Sequence, residues 1–290
     1  MHRFENCVHS SFLILFVLSA IAQKENMIGF IGTGNMASAI IKGIVGSKLL
    51  PANEISVFDI NSDKANALAD EYSLCALPSA KEVALKCDVV VLSVKPNVFP
   101  SLLSEIDSEL KENDPLIISI AAGKTLDFIS AQLSYDAKII RVMPNINAKV
   151  EAAISAYCGN ENVSEADLNF ADSFCSSFGK AIKLPETHFP IFGVIGGCSP
   201  AFAYIFIDAM ARAAVQNGLP KDQALEICAQ AVLGSAKMII ESGEHPWSLT
   251  DKVCSPGGTT IEGVLSLQKD GFETAVANAV NAAFEKDKRL

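Results

Sequence analysis

Residues Gly32 to Ala37 read Gly-Thr-Gly-Asn-Met-Ala, a Gly-x-Gly-x-x-Ala spacing. A glycine in the first position permits a tight turn, and one in the second lets backbone approach a pyrophosphate. A small residue in the third lets a helix pack close to the strand before it. The free N–H groups at the start of that helix then face the phosphates with partial positive charge. The spacing alone is weak evidence, but its surroundings fit. Met27 to Ile31 is a short apolar strand signal, and Ala37 to Val45 has helical periodicity with Gly46 as a stop. Gly32, Thr33, Gly34, Asn35 and Met36 are therefore candidate dinucleotide-binding residues. Asp59 closes a second strand signal, Glu54 to Phe58. An acid there accepts from the adenosine ribose hydroxyls and favours NAD, whereas a 2′-phosphate wants Arg or Lys. Asp59 could also merely terminate the strand, so NADPH and NADH both stay open.

Three further strand ends belong to the same set, because ligands of open α/β sheets bind off the carboxyl ends of the strands. They are Ser93-Val94-Lys95-Pro96, Ala121-Ala122-Gly123 and Met143-Pro144-Asn145. Val94, Lys95, Pro96, Ala121, Ala122 and Asn145 are the cofactor-lining candidates among them. Lys95 could act as a catalytic cation. The preferred reading is that its backbone lines the cofactor and its side chain meets solvent, since no residue is identified that would tune it.

A second glycine turn, Ser255-Pro256-Gly257-Gly258-Thr259-Thr260, opens a helix near the other end of the chain. Two glycines before a helix expose several N–H groups, and three hydroxyls flank them, which makes a nest for a carboxylate. The alternative is a well-capped turn. His245 and His188 read as structural, and Cys198 as a small apolar filler without an adjacent base. No His, Cys or carboxylate spacing suggests a metal site.

These residues need positioning elements. After the first helix, Ser62 to Tyr72 reads as a helix with Ser62 as its N-cap, and Val89 to Val94 as a doubly buried strand. Pro100 to Lys111 is helical, Leu116 to Ala121 a strand, Thr125 to Leu133 helical, Lys138 to Val142 a strand, and Ala152 to Tyr157 a further strand candidate. This alternation predicts a doubly wound parallel sheet. Strand signals end near residue 185. Four helices follow: one opened by Ser199 as N-cap and Pro200 at N1 and closed at Asn217-Gly218, then Lys221 to Ser242, Thr259 to Gln268, and Phe272 to Lys286. The expected fold is thus a Rossmann-type α/β domain, residues 27–187, followed by an all-helical domain, 188–290. The helical part carries more than one apolar face, which predicts dimerisation through it.

The 290 residues are 50% hydrophobic and 19% charged, which suits one large or two medium globular domains and excludes a disordered or fibrous chain. A net charge of −10 argues against nucleic-acid binding, which needs a basic face. The 8 cysteines are scattered with no Cys-x-x-Cys pair, which suits a reducing compartment and a cytoplasmic protein. Residues 1–26 stand apart: Phe12 to Ala22 is almost wholly apolar but too short to span a bilayer. They are either a signal-like leader, making the protein secreted or organellar, or a misassigned start upstream of Met27.

Together these strings resemble the pyrroline-5-carboxylate reductase family over about residues 27–290. The resemblance rests on Ile28 to Ala37, Val94-Lys95-Pro96 and Arg141-Val142-Met143-Pro144-Asn145. Its most specific part runs from Gly218-Leu219-Pro220 through Glu241 to Pro246 and on to Ser255 to Thr260. It implies reduction of a cyclic imino acid to proline with NADPH or NADH, by a homodimer or ring of dimers. It also implies that Ser255, Gly258, Thr259 and Thr260 bind the substrate, with Thr260 as the catalytic candidate. Two strings depart from the family. Ile146-Asn147 stands where Thr-Pro is common, and Gly196-Gly197-Cys198-Ser199 where Ser-Gly-Ser-Gly is usual. The competing readings are a hydroxyacid or imine dehydrogenase of similar build, with Lys237 as its nearest lysine, and a non-catalytic NAD(P)-binding sensor.

Overall fold

The computed structural model describes residues 27–289; the expectations for residues 1–26 fall outside them. The chain forms two compact units, which meet in sequence between Phe189 and Pro190.

The first unit is built on β1 (Ile28–Ile31), β2 (Ile55–Phe58), β3 (Cys75–Ala76), β4 (Val89–Leu92), β5 (Leu116–Ser119), β6 (Ile139–Met143), β7 (Ala153–Gly159) and β8 (Gly179–Lys183). They form one sheet in the order β3-β2-β1-β4-β5-β6-β7-β8. β1, β4 and β5 are buried along their whole length, which explains why they are almost wholly apolar, with β4 an unbroken Val-Val-Val-Leu run. Each such side chain contributes roughly 1.5–3 kcal/mol by leaving water. The helices of this unit are α1 (Asn35–Ser47), α2 (Ser62–Tyr72), α3 (Ala80–Lys86), α4 (Phe99–Asn113), α5 (Leu126–Ser130) and α6 (Glu165–Ser176). α1 buries Ile40, Ile41 and Ile44 against the sheet, in one cluster with Phe30, Phe174 and Phe178. The Phe174 ring meets Phe178 edge-on, with centroids 5.7 Å apart.

Several expectations are corrected. The sheet is not wholly parallel: β7 runs antiparallel to β6, then pairs parallel with β8. The return from β6 is a short 3-10 turn at Ile146–Val150, and so short a connection can only reverse the chain. Gly46 does not stop α1, which runs to Ser47 and ends on a left-handed Lys48. The N-cap of α2 is Asn61, not Ser62; the Asn61 side chain accepts from the Lys64 N–H. β3, β8, α3 and α6 lay outside the sequence expectations.

The second unit has α7 (Ser199–Gln216), α8 (Lys221–Ser242), α9 (Pro246–Val253), α10 (Thr259–Lys269) and α11 (Phe272–Asp287). Ser199 is not the N-cap of α7. The chain enters from a π-helical stretch, Gly193–Cys198, so Ser199 already lies within helix and its hydroxyl bonds back to the Ile195 carbonyl. A small buried cluster here comprises Ala211, Ala224 and Cys228, with Ile207, Ala214 and Leu219 packed against it. By contrast Ile205, Leu233 and Ile240 are 70, 62 and 71% exposed.

Candidate active site

The first glycine turn lies where the strand order reverses, since β1 has β2 on one side and β4 on the other. Gly32 has φ +100°, open to glycine at little cost, and a Cβ there would stand 2.9 Å from the Ser93 carbonyl oxygen. Its N–H donates to the Phe58 carbonyl at 2.7 Å, tying the turn to β2. The Ser93 hydroxyl, at the end of β4, reaches the Ile31 carbonyl at 3.0 Å and lies within hydrogen-bond distance of the Gly32 carbonyl. Gly34 differs: a Cβ there meets nothing within 4 Å, so the space above it is open. Gly34 is also the N-cap of α1, with no side-chain cap and no acid in the first turn. The α2, α3, α5 and α6 termini are capped by Asn61, Ser79, Thr125 and Ser164. An open glycine before an uncapped helix fits a dinucleotide pyrophosphate.

Asp59 bonds its own chain. One carboxylate oxygen accepts from the Thr33 N–H at 2.8 Å and the Thr33 hydroxyl at 3.1 Å; the other accepts from the Asn61 N–H at 2.9 Å. Partial burial by itself would raise its pKa. The Thr33 and Asn61 N–H donors, the Thr33 hydroxyl and the Lys64 charge outweigh that and hold it below the ordinary value. Gly32 and Thr33 are buried, while Gly34 and Asn35 are exposed and Met36 is half-buried. The remaining candidates end neighbouring parallel strands. Val94 is half-buried, and Lys95 and Pro96 are exposed. Ala121 is buried, Ala122 is exposed, and buried Asn145 accepts from the Asn147 N–H at 3.3 Å. Ser93 and Asn61 were not among the candidates drawn from sequence; their roles depend on contacts across strands or on backbone angles.

The second turn lies in the helical unit. Gly257 has φ +67°, and the Gly258 N–H donates to the Ser255 carbonyl at 3.0 Å. Gly258 is the N-cap of α10, with no side-chain cap. Gly258 has no side chain with which to cap the helix, and Ser255, Thr259 and Thr260 flank this N-terminus. His245 caps α9, its Nδ1 accepting from the Trp247 N–H at 3.3 Å. Lys237 pairs with Glu241 at 3.5 Å on an exposed helix face. No group of three His, Cys, Asp or Glu able to hold a metal is found among the described residues.

An open glycine turn at the switch point of a doubly wound sheet is where such folds bind nucleotide cofactors, the arrangement of a dinucleotide-dependent oxidoreductase. Comparison with known proteins narrows the class. The family model for pyrroline-5-carboxylate reductase dimerisation matches residues 186–290, and one for NADP oxidoreductase, coenzyme F420-dependent, matches residues 27–123. The chain is 46% identical to pyrroline-5-carboxylate reductase of Escherichia coli (strain K12) over 92% of its own length and 98% of that protein. The solved structure of a pyrroline-5-carboxylate reductase from Coxiella burnetii matches with TM-score 0.87 at 31% identity, covering 92% of this chain and 98% of that one. The Plasmodium falciparum pyrroline carboxylate reductase, solved with NADP bound, matches with TM-score 0.79 at 32% identity, covering 91% and 97%. The chain belongs to the pyrroline-5-carboxylate reductase family and is an NAD(P)H-dependent oxidoreductase.

Proposed function

We propose that this chain reduces 1-pyrroline-5-carboxylate to L-proline, the last step of proline biosynthesis, with its two glycine turns as the two binding elements. The single observation that carries the assignment of roles is the uncapped N-terminus of α10, flanked by Ser255, Thr259 and Thr260. The N–H groups at Gly258, Thr259 and Thr260 and the Ser255 hydroxyl bind the substrate carboxylate. The Thr260 hydroxyl is the donor directed to the ring nitrogen. Threonine is a weak acid, so its part is to orient the imine or relay a proton from water rather than to ionise.

In the first unit, Gly32 to Met36 hold the pyrophosphate, and Val94, Lys95, Pro96, Ala121, Ala122 and Asn145 line the nicotinamide half. The dinucleotide supplies hydride from nicotinamide C4 to the imine carbon. No strong acid or base is needed from the chain, because a cyclic imine is partly protonated near neutral pH. Its contribution is positioning, worth up to ~7–11 kcal/mol for a well-oriented pair. The hydroxyacid dehydrogenase reading is weaker, because Lys237 is committed to a surface pair with Glu241.

The partner is a second copy of the chain, as a homodimer or ring of dimers, meeting through the helical unit. Glu186–Gln216 is long and apolar enough to cross a membrane by length and composition. We assign its exposed apolar side chains to the subunit interface instead, in a cytoplasmic enzyme. The test is NAD(P)H oxidation with pyrroline-5-carboxylate beside 3-hydroxy acids. Turnover of the imine alone is expected. Turnover of a hydroxy acid alone overturns the substrate, and turnover of neither favours a sensor.

A further inference from the structure

We propose that Asp59 and the loop after it favour NADH over NADPH, by preferring a free hydroxyl at the ribose 2′-position. The proposal rests on the reading of Gly32 to Met36 as the dinucleotide turn and makes it more specific.

A carboxylate offers about four acceptor sites. Three are taken, two by Thr33 and one by Asn61, which leaves one place on the oxygen facing Asn61. One ribose hydroxyl can donate there. A 2′-phosphate has nothing to donate at neutral pH and brings up to two negative charges beside an ionised carboxylate. The bonds from Thr33 also prevent Asp59 from swinging away, because the same carboxylate braces the phosphate turn 26 residues earlier in the chain.

The surroundings do not offset that charge. Residues 59–66 read Asp-Ile-Asn-Ser-Asp-Lys-Ala-Asn, with two acids, one lysine and no arginine. The N-terminus of α2 would be the natural anion site at this edge. It is already capped by the Asn61 side chain and carries Asp63 in its first turn. Lys64 is the one cation of this stretch, against the two carboxylates of Asp59 and Asp63, and its charge is the weakest of the influences acting on Asp59. Next to Asp59, Ile60 is 96% exposed, apolar surface that a nucleobase can cover but that gives a phosphate no partner.

The test is calorimetric titration of the full chain with ADP-ribose and with 2′-phospho-ADP-ribose, fragments that bind without turnover. ADP-ribose should bind tighter by about tenfold or more, and the ratio should shrink as salt screens the repulsion. Asp59→Asn removes the charge with little change of shape and should bring the two affinities to within about threefold. Equal binding by the unaltered chain, or tighter binding of the 2′-phospho fragment, overturns the proposal and leaves the dinucleotide site standing. A ratio unmoved by Asp59→Asn does the same. Binding of neither fragment overturns both the proposal and the reading beneath it. Should Asp59→Asn unfold, the affinity ratio of the unaltered chain and its salt dependence still decide.

Discussion

Gly34, Gly258 and Gly271 each open a helix without a side-chain cap, and the two of these turns with flanking motifs, at Gly32 to Gly34 and at Gly257 and Gly258, are held very differently. The turn at Gly32 to Gly34 is fastened from three strands: its own, β2 through Phe58 and Asp59, and β4 through Ser93. Beneath it lies a core in which Phe30, Ile40 and Ile55 are wholly buried. The turn at Gly257 and Gly258 is held by a local bond to Ser255, in a unit whose buried cluster is three small side chains. A site built once into a sheet is rigid within one chain. A site built on alanine-rich helices with exposed Ile and Leu needs a second surface to become rigid. The first turn is therefore expected to bind its ligand in any assembly state, and the second only in the assembled protein.

The strongest way to break this comparison is to charge the exposed face of α8. Leu233 and Ile240 lie seven residues apart on one side of that helix. Replacing both with Asp should give a monomer by light scattering and cut turnover by more than about a hundredfold, as for central interface residues. ADP-ribose should bind the monomer as well as it binds the native protein. A fully active monomer, or loss of ADP-ribose binding with assembly, would show that the two turns are not independent in this way.

Next in size is Gly34→Val. The chain has room for the new side chain, so the melting temperature should hold while cofactor Kd rises by about a hundredfold, because the branch occupies the place of the pyrophosphate. Gly32→Ala is the contrasting variant: it meets the Ser93 carbonyl and an unfavourable φ, so it should lose stability as well. Equal behaviour of the two glycines would break the distinction drawn between them.

What could be read from the sequence divides along the same line. Gly32, Gly34 and the Ser255 to Thr260 string are local patterns, legible because turn and helix start are adjacent in the chain. The grip on the first turn was not legible. The Thr33 to Asp59 bond and the Ser93 contacts exist only once β1, β2 and β4 are in register. Direction is also invisible to periodicity, so the reversal at β7 could not be seen in its apolar run. β8 gives no strand pattern in the sequence because Gly179–Lys183 carries two lysines and is nowhere fully buried. Asn61 and Ser62 are both good capping residues; which one caps is decided by backbone angles.

Thr260→Ala probes the second turn more gently. Loss of one hydrogen bond to a charged substrate group should lower kcat/KM by about ten- to a hundredfold. NAD(P)H binding should be unchanged. Since no hydroxyl caps α10, the melting temperature should not fall either. A stability loss with intact kinetics would mean that the hydroxyl is structural, and the second turn would then be no substrate site.

The smallest effect is expected at Lys95, and for that reason it discriminates well. A lysine at the end of β4, beside the first glycine turn, invites a role as proton donor. Its backbone has a structural role of its own. Lys95 is the N-cap of the 3-10 turn Pro96–Val98, and its carbonyl accepts from the Val98 N–H at 2.9 Å. Its side chain is exposed, and none of the ion pairs among the described residues uses it. An ammonium surrounded by water has little that could aim it at a reacting nitrogen. Lys95→Met keeps the length and apolar stem and removes the charge. It should change kcat/KM by no more than about twofold, the range of ordinary surface substitutions, and leave the pH profile in place. A tenfold fall in kcat with a displaced basic limb would make Lys95 the proton donor. The reaction would then depend on an acid from the first unit, and positioning by the two glycine turns would no longer suffice to explain it.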